Sequence, residues 1–151
     1  MWSLHAFLDD TAGGTSLEAI AGRCASETGD QTAVLTDEPD PLDARIRGGI
    51  RISWPGWWAI IMLEDGDCVG EDVHYLSNSR TPPAATRRRL SGCTRRIRAL
   101  FGPDDSRNYT DHIVGIVTYL EDISSGRVYD PQRREFTRNA HSRSAAARDE
   151  K

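Results

Sequence analysis

The chain has 151 residues, 38% hydrophobic and 28% charged, a length and composition suited to one compact domain with its own core. No apolar run approaches the roughly 20 residues needed to cross a bilayer, and Met1-Trp2-Ser3-Leu4-His5 lacks a basic leader start, so a soluble, cytoplasmic protein is expected. The charge is split: residues 1–80 hold 14 Asp and Glu against 5 Arg, net −9, whereas residues 81–151 are net +5.

Trp2, Leu4, Ala6 and Leu8 alternate with Ser3, His5 and Phe7, which predicts a first strand ending at Asp9-Asp10, with Gly13-Gly14 as the break after it. Thr15-Ser16-Leu17-Glu18 has capping-box spacing. Leu17, Ile20, Ala21, Cys24 and Ala25 then follow at the intervals of an amphipathic helix that closes near Gly29. Residues 36–43 combine two prolines with four acids and are expected to be an acidic loop, neither helix nor strand.

From Ala44 to Glu64 the pattern predicts a hairpin. Ile46, Ile50 and Ile52 share one face, Trp54-Pro55-Gly56-Trp57 makes the turn with Gly56 at positive φ, and the apolar run Trp57 to Leu63 forms a central strand. Residues 72–76 are read as extended. Pro82 to Phe101 are read as the longest helix, because Leu90, Cys93, Ile97, Leu100 and Phe101 fall within about 100° of arc and six arginines face away from them. The same arithmetic predicts a helix from Tyr109 to Ile123, joined to the first through Gly102-Pro103 as an antiparallel helical hairpin. Ser124-Ser125-Gly126 stops it, Arg127-Val128-Tyr129 is a short strand, and Asp130-Pro131 turns. The expected whole is one α/β (α+β) domain over residues 1–137, a mostly antiparallel sheet of four to six strands carrying two or three helices, with a disordered tail at 138–151.

Cys24, Cys68 and Cys93 never form C-x-x-C and are odd in number, so reduced, buried thiols are expected. The four histidines lie on separate segments and offer no zinc-like pairing; G-x-S-x-G, P-loop and G-x-G-x-x-G motifs are missing. Two clusters could carry chemistry. Glu64, Asp65, Asp67, Glu71 and Asp72 lie just past an apolar strand, where enzymes hold divalent metals for phosphoryl transfer, although Val69 and Leu76 stand where a calcium loop needs ligands. Arg87, Arg88, Arg89, Arg95, Arg96 and Arg98 could follow a phosphate backbone, against which stands a pI of 5.5.

The stretch Arg95-Arg96-Ile97-Arg98-Ala99-Leu100-Phe101-Gly102-Pro103-Asp104-Asp105, with Tyr109-Thr110-Asp111-His112-Ile113, Leu120-Glu121-Asp122-Ile123 and Gly126-Arg127-Val128-Tyr129-Asp130-Pro131, resembles small bacterial immunity proteins that neutralise polymorphic toxins. It is most similar to the immunity protein 52 type, paired with restriction-endonuclease-fold nuclease toxins of type VI secretion. The likeness covers roughly residues 54–136 and rests on hydrophobic spacing and turns. It implies a non-enzymatic protein without cofactor that binds a cognate toxin in the cytoplasm.

A nuclease surface is positive because it holds phosphates, so an inhibitor carrying carboxylates competes with nucleic acid and associates quickly. Charge alone therefore nominates Asp37, Glu38, Asp40 and Asp43 with Glu64, Asp65, Asp67, Glu71 and Asp72 as partner-binding residues. Trp57 or Trp58 is the candidate aromatic anchor, core packing of these rings being the alternative. Two other classes stay open: an arginine-helix nucleic-acid binder and a metal-dependent phosphoryl enzyme. No metal and no membrane contact is expected, and the oligomeric state is left open.

Overall fold

The computed structural model describes residues 2–9, 15–78 and 89–137. Its frame is a seven-stranded sheet in which every neighbouring pair is antiparallel. In chain order the elements are β1 (Trp2–Leu8), α1 (Leu17–Glu27), β2 (Val34–Pro39), β3 (Arg47–Trp54), β4 (Trp57–Asp65), α2 (Asp67–Ser77), β5 (Arg95–Phe101), α3 (Thr110–Ile123), β6 (Val128–Asp130) and β7 (Glu135–Phe136). Across the sheet the order is β2-β3-β4-β5-β1-β6-β7, so the expected α+β class holds with one strand more than the expected upper number. Among the described residues no helix is long and apolar enough to cross a membrane.

α1 and α3 cover one face. Leu4, Ala6 and Leu8 of β1, Ile50 and Ile52 of β3, Ala59 and Ile61 of β4, and Ile97, Ala99 and Phe101 of β5 point there and bury against Ile20, Cys24, Ile116 and Leu120. This is the period of two meeting the period of 3.6. The helices touch closely: a Cβ at Gly115 would stand 2.7 Å from the Glu27 carbonyl oxygen, so α3 reaches α1 because that side chain is absent. A second, smaller core lies on the opposite face, where Val69, Val73 and Leu76 of α2 pack with Phe7, Leu90 and Cys93.

Several expectations change. α1 forms as predicted, but its cap is Ser16, whose Oγ accepts from the Ala19 N–H at 3.1 Å, and Glu18 pairs with Arg47 at 2.6 Å. Residues 36–39 are strand rather than loop. β2 is an edge strand, so its acids stay in water, and the register shift between Glu38 and Pro39 takes up the proline at the strand's end. Residues 67–77 are helix rather than an extended segment, because the Val69, Val73, Leu76 spacing buries one stripe.

The largest correction is 95–101. These residues form β5, a strand between β4 and β1, and no helical hairpin spans Gly102-Pro103. Ile97, Ala99 and Phe101 also alternate with Arg96, Arg98 and Leu100. Within the sheet that shorter period prevails, since β5 finds a hydrogen-bonded partner on both sides. Residues 79–88 and the tail from 138 lie outside the described residues, as does Gly13-Gly14. The Trp54–Trp57 hairpin forms in the expected place, but its glycine is there for space. Gly56 does not take a positive φ; its N–H donates to the Tyr109 hydroxyl at 3.0 Å, and an added Cβ would meet that same oxygen at 3.0 Å.

Candidate functional site

The acidic residues of 37–43 fall on β2 and on the loop that returns the chain to β3. Asp40 and Asp43 shape that loop. The Asp40 carboxylate accepts from the Leu42 and Asp43 N–H groups at 2.8 and 3.2 Å, and Asp43 accepts from the Arg45 backbone N–H and Nε at 3.1 and 3.0 Å. The Arg45 contacts hold the Asp43 carboxyl below the usual carboxylate range. Asp37 is exposed and lies 3.5 Å from Arg47, while Glu38 is half-buried at the bulge.

Antiparallel order places the start of β3 and the end of β4 at one end of the sheet, so loop 40–46 shares that end with Glu64 and Asp65. Here the second acidic group divides. Arg96 of β5 is buried between Glu64, whose Oε1 its Nε meets at 3.3 Å, and Asp72 of α2, which its Nη1 also contacts. The Asp72 contact ties α2 to the sheet, the Glu64 contact joins β4 to β5 within it, and Asp65, Asp67 and Glu71 are left exposed. Among the described residues no three His, Cys, Asp or Glu side chains converge as a metal site requires.

The tryptophans are placed in the core. Trp57 stacks on Phe101 and Tyr109 with ring centroids 6.0 and 5.6 Å away, and its Nε1 donates to the Gly102 carbonyl at 2.8 Å. It is almost wholly buried, so no partner can reach its ring, which corrects its nomination as an anchor. Trp58 is half-buried on the other face beneath the Arg51 guanidinium, 4.6 Å from the ring centroid, an arrangement that occupies one side of the indole.

The exposed apolar side chains lie elsewhere. Six large hydrophobic side chains are exposed among the described residues, and four of them, Val34 (58%), Leu35 (41%), Leu42 (96%) and Ile46 (57%), belong to β2 and its following loop. They lie in the same stretch of chain as Asp37, Glu38, Asp40 and Asp43. Ile46, expected to join Ile50 and Ile52 in the core, lies before β3 begins and is open to solvent. The sequence signal was available as apolar residues scattered among acids with no strand or helix period that would bury them.

Sequence reasoning also missed a pair that steadies this region from behind. Asp30, on the connection from α1 to β2, meets His112 Nε2 of α3 at 2.9 Å. Its carboxyl is held down to about 2, first by the Thr32 hydroxyl and then by His112. The His112 ring sits edge-on to Trp54 at 5.3 Å and to Tyr109 at 4.9 Å. The Tyr109 hydroxyl accepts from the Gly56 N–H at 3.0 Å, which links this aromatic group to the β3–β4 turn.

Of the cysteines, Cys24 and Cys93 are buried as expected, and burial pushes the Cys24 thiol up to about 12; Cys68 is exposed, contrary to expectation. The six-arginine helix face does not form, because Arg95, Arg96 and Arg98 belong to a strand, Arg96 and Arg98 on one side of it and Arg95 on the other. Comparison with protein-family models, with curated proteins and with solved structures found no match.

Proposed function

We propose that this chain is an immunity protein that works by binding: it captures a basic cognate toxin, a nuclease in the reading that the family resemblance implies, and blocks it in the cytoplasm of the producing cell without chemistry of its own. The observation that carries the proposal is the coincidence, on 34–46, of four exposed large hydrophobics with four carboxylates at one edge of the sheet. Protein interfaces combine desolvated apolar contacts with a polar rim, and monomer surfaces rarely gather exposed aliphatics in one short stretch. The carboxylates would steer a phosphate-binding surface toward that edge, with Asp65, Asp67 and Glu71 adding to the field from the same end.

The test is co-purification with the product of the gene adjacent to this one, followed by stopped-flow association. Reversing Asp37, Glu38, Asp40 and Asp43 to Lys is expected to slow association roughly tenfold or more at low salt and far less at high salt. Leu42→Asp with Ile46→Asp should act mainly on dissociation. An adjacent gene product that fails to co-purify, or a quadruple reversal that leaves the rate unchanged at low salt, would sink the reading.

A further inference from the structure

The geometry points to strand addition as the mode of capture: β2 receives a basic, β-branched strand of its partner, antiparallel along Val34–Glu38, and extends the sheet by one strand. This rests on the binding function proposed above and specifies the chemistry of the segment bound.

The first ground is the unequal protection of the two sheet edges. β7, at one end of the order, is two residues long, too short to serve as a template. β2, at the other, has six residues, and among the described residues nothing pairs with its outer side. Natural edges are blunted by charged side chains, proline, bulges or short length, and the charges on β2, Asp37 and Glu38, are acidic, so they repel an acidic strand and admit a basic one. On β2 the proline and the register shift both sit at the Glu38/Pro39 end, which leaves Val34–Glu38 as a regular ladder against β3. Five residues at about 3.4 Å each make a docking edge of roughly 17 Å, an ordinary strand length.

The second ground is the order of side chains along that edge, which selects the occupant. A second copy of β2 paired antiparallel about Thr36 would set Glu38 opposite Val34 and Asp37 opposite Leu35, two carboxylate-to-aliphatic mismatches on each side of the centre. A strand reading Lys-Arg-Thr-Val-Ile from its N-terminus instead sets cations opposite Glu38 and Asp37 and β-branched side chains opposite Leu35 and Val34. Such a strand suits a nucleic-acid-handling partner, and main-chain bonds would add affinity to the charge steering already argued.

Strand addition makes a pattern that side-chain docking cannot. In an antiparallel ladder each residue's N–H and C=O leave the strand on the same side, and its neighbour's leave on the other. The amides of 34–38 therefore split into one set bonded to β3 and one set pointing outward, and amide exchange of the free protein separates them as slow and fast. The probe is a disulfide-closed hairpin whose outer strand is Lys-Arg-Thr-Val-Ile. At saturation it should slow the fast set at least tenfold and leave the slow set unchanged, while a hairpin carrying the reversed order, Ile-Val-Thr-Arg-Lys, should bind at least tenfold more weakly. Proline at Leu35 or at Thr36, whichever of the two belongs to the fast set, should abolish that protection with an unchanged circular dichroism spectrum.

Equal binding of both hairpins, protection spread over both sets, or a concentration-dependent dimer showing the same alternate protection without probe would each overturn the proposal. The two readings fail separately. If the adjacent gene product co-purifies but leaves the fast amides unprotected, strand addition is wrong and the binding function stands. If nothing co-purifies while the hairpin docks in register, the edge is a strand acceptor and the immunity reading is wrong.

Discussion

Arg96→Met removes the charge at the centre of the second core's ionic tie while its thioether chain replaces most of the buried aliphatic stem. The wild-type side chain is 6% exposed, and its partners are unequal: Glu64 is 26% exposed and Asp72 51%. Breaking a fully buried pair costs about 3–5 kcal/mol, whereas an exposed pair is worth about 0–1 kcal/mol. Asp72 can turn to water once released, so its share falls near the lower figure; Glu64 stays half-sheltered beside β5 and supplies most of the loss. The expected cost is about 2–3 kcal/mol. With a urea slope of about 2 kcal/mol/M for a domain of this size, the unfolding midpoint should drop by about 1–1.5 M.

Adding Glu64→Gln, which removes the stranded carboxylate, should restore about half of that drop. His5 reports on the same change from inside the fold. Burial first, and then the Arg96 and Arg98 charges, hold its imidazole down to about 4. In Arg96→Met the pKa should rise by NMR titration yet stay below 6.5, because burial persists. A midpoint shift under about 0.3 M, or an unmoved His5, would refute the assignment of Arg96 as the buried cation shared by Glu64 and Asp72.

His5 also sets a pH window. Because folding depresses its pKa from 6.5 to about 4, the unfolded chain takes up the proton first as the pH falls, so stability is lost from about pH 6.5 down to about 4 and this loss then levels off. His5→Gln should flatten the change in urea midpoint between pH 7 and pH 5, and an unchanged slope would show that other groups carry it. Gly115→Ala should lower the melting temperature by roughly 3–6 °C, since the Glu27 carbonyl 2.7 Å from the added methyl is backbone and cannot step aside cheaply. Gly22→Ala on α1, with nothing within 4 Å of the new methyl, should raise it, and matching effects at both glycines would disprove the close approach of α1 and α3.

Local periodicity was legible wherever one face of an element meets one core. β1 alternates, α1 and α3 show the helical stripe, and the hairpin about Pro55-Gly56 carries its own turn, so each could be read from its own residues. The charge split and the acids of 37–43 were equally visible. What the chain could not disclose locally was decided by pairing. Arg95–Phe101 satisfies both the helical arc and the strand alternation, and two neighbouring strands, with Glu64 and Asp72 receiving Arg96, chose between them. An acidic, proline-ended segment became a strand because at the sheet's edge its charges stay hydrated and its proline needs no inward bond.

The tryptophans followed the same rule. Composition makes Trp57 and Trp58 equally good anchors, but alternation along β4 sends one into the core and the other beneath Arg51, and the accessible apolar surface passes to Val34, Leu35, Leu42 and Ile46. Residue type sets what a side chain can do. Its place in the sheet order decides which face it occupies, which charges it must share, and whether a partner can touch it, because those depend on strands far away in sequence.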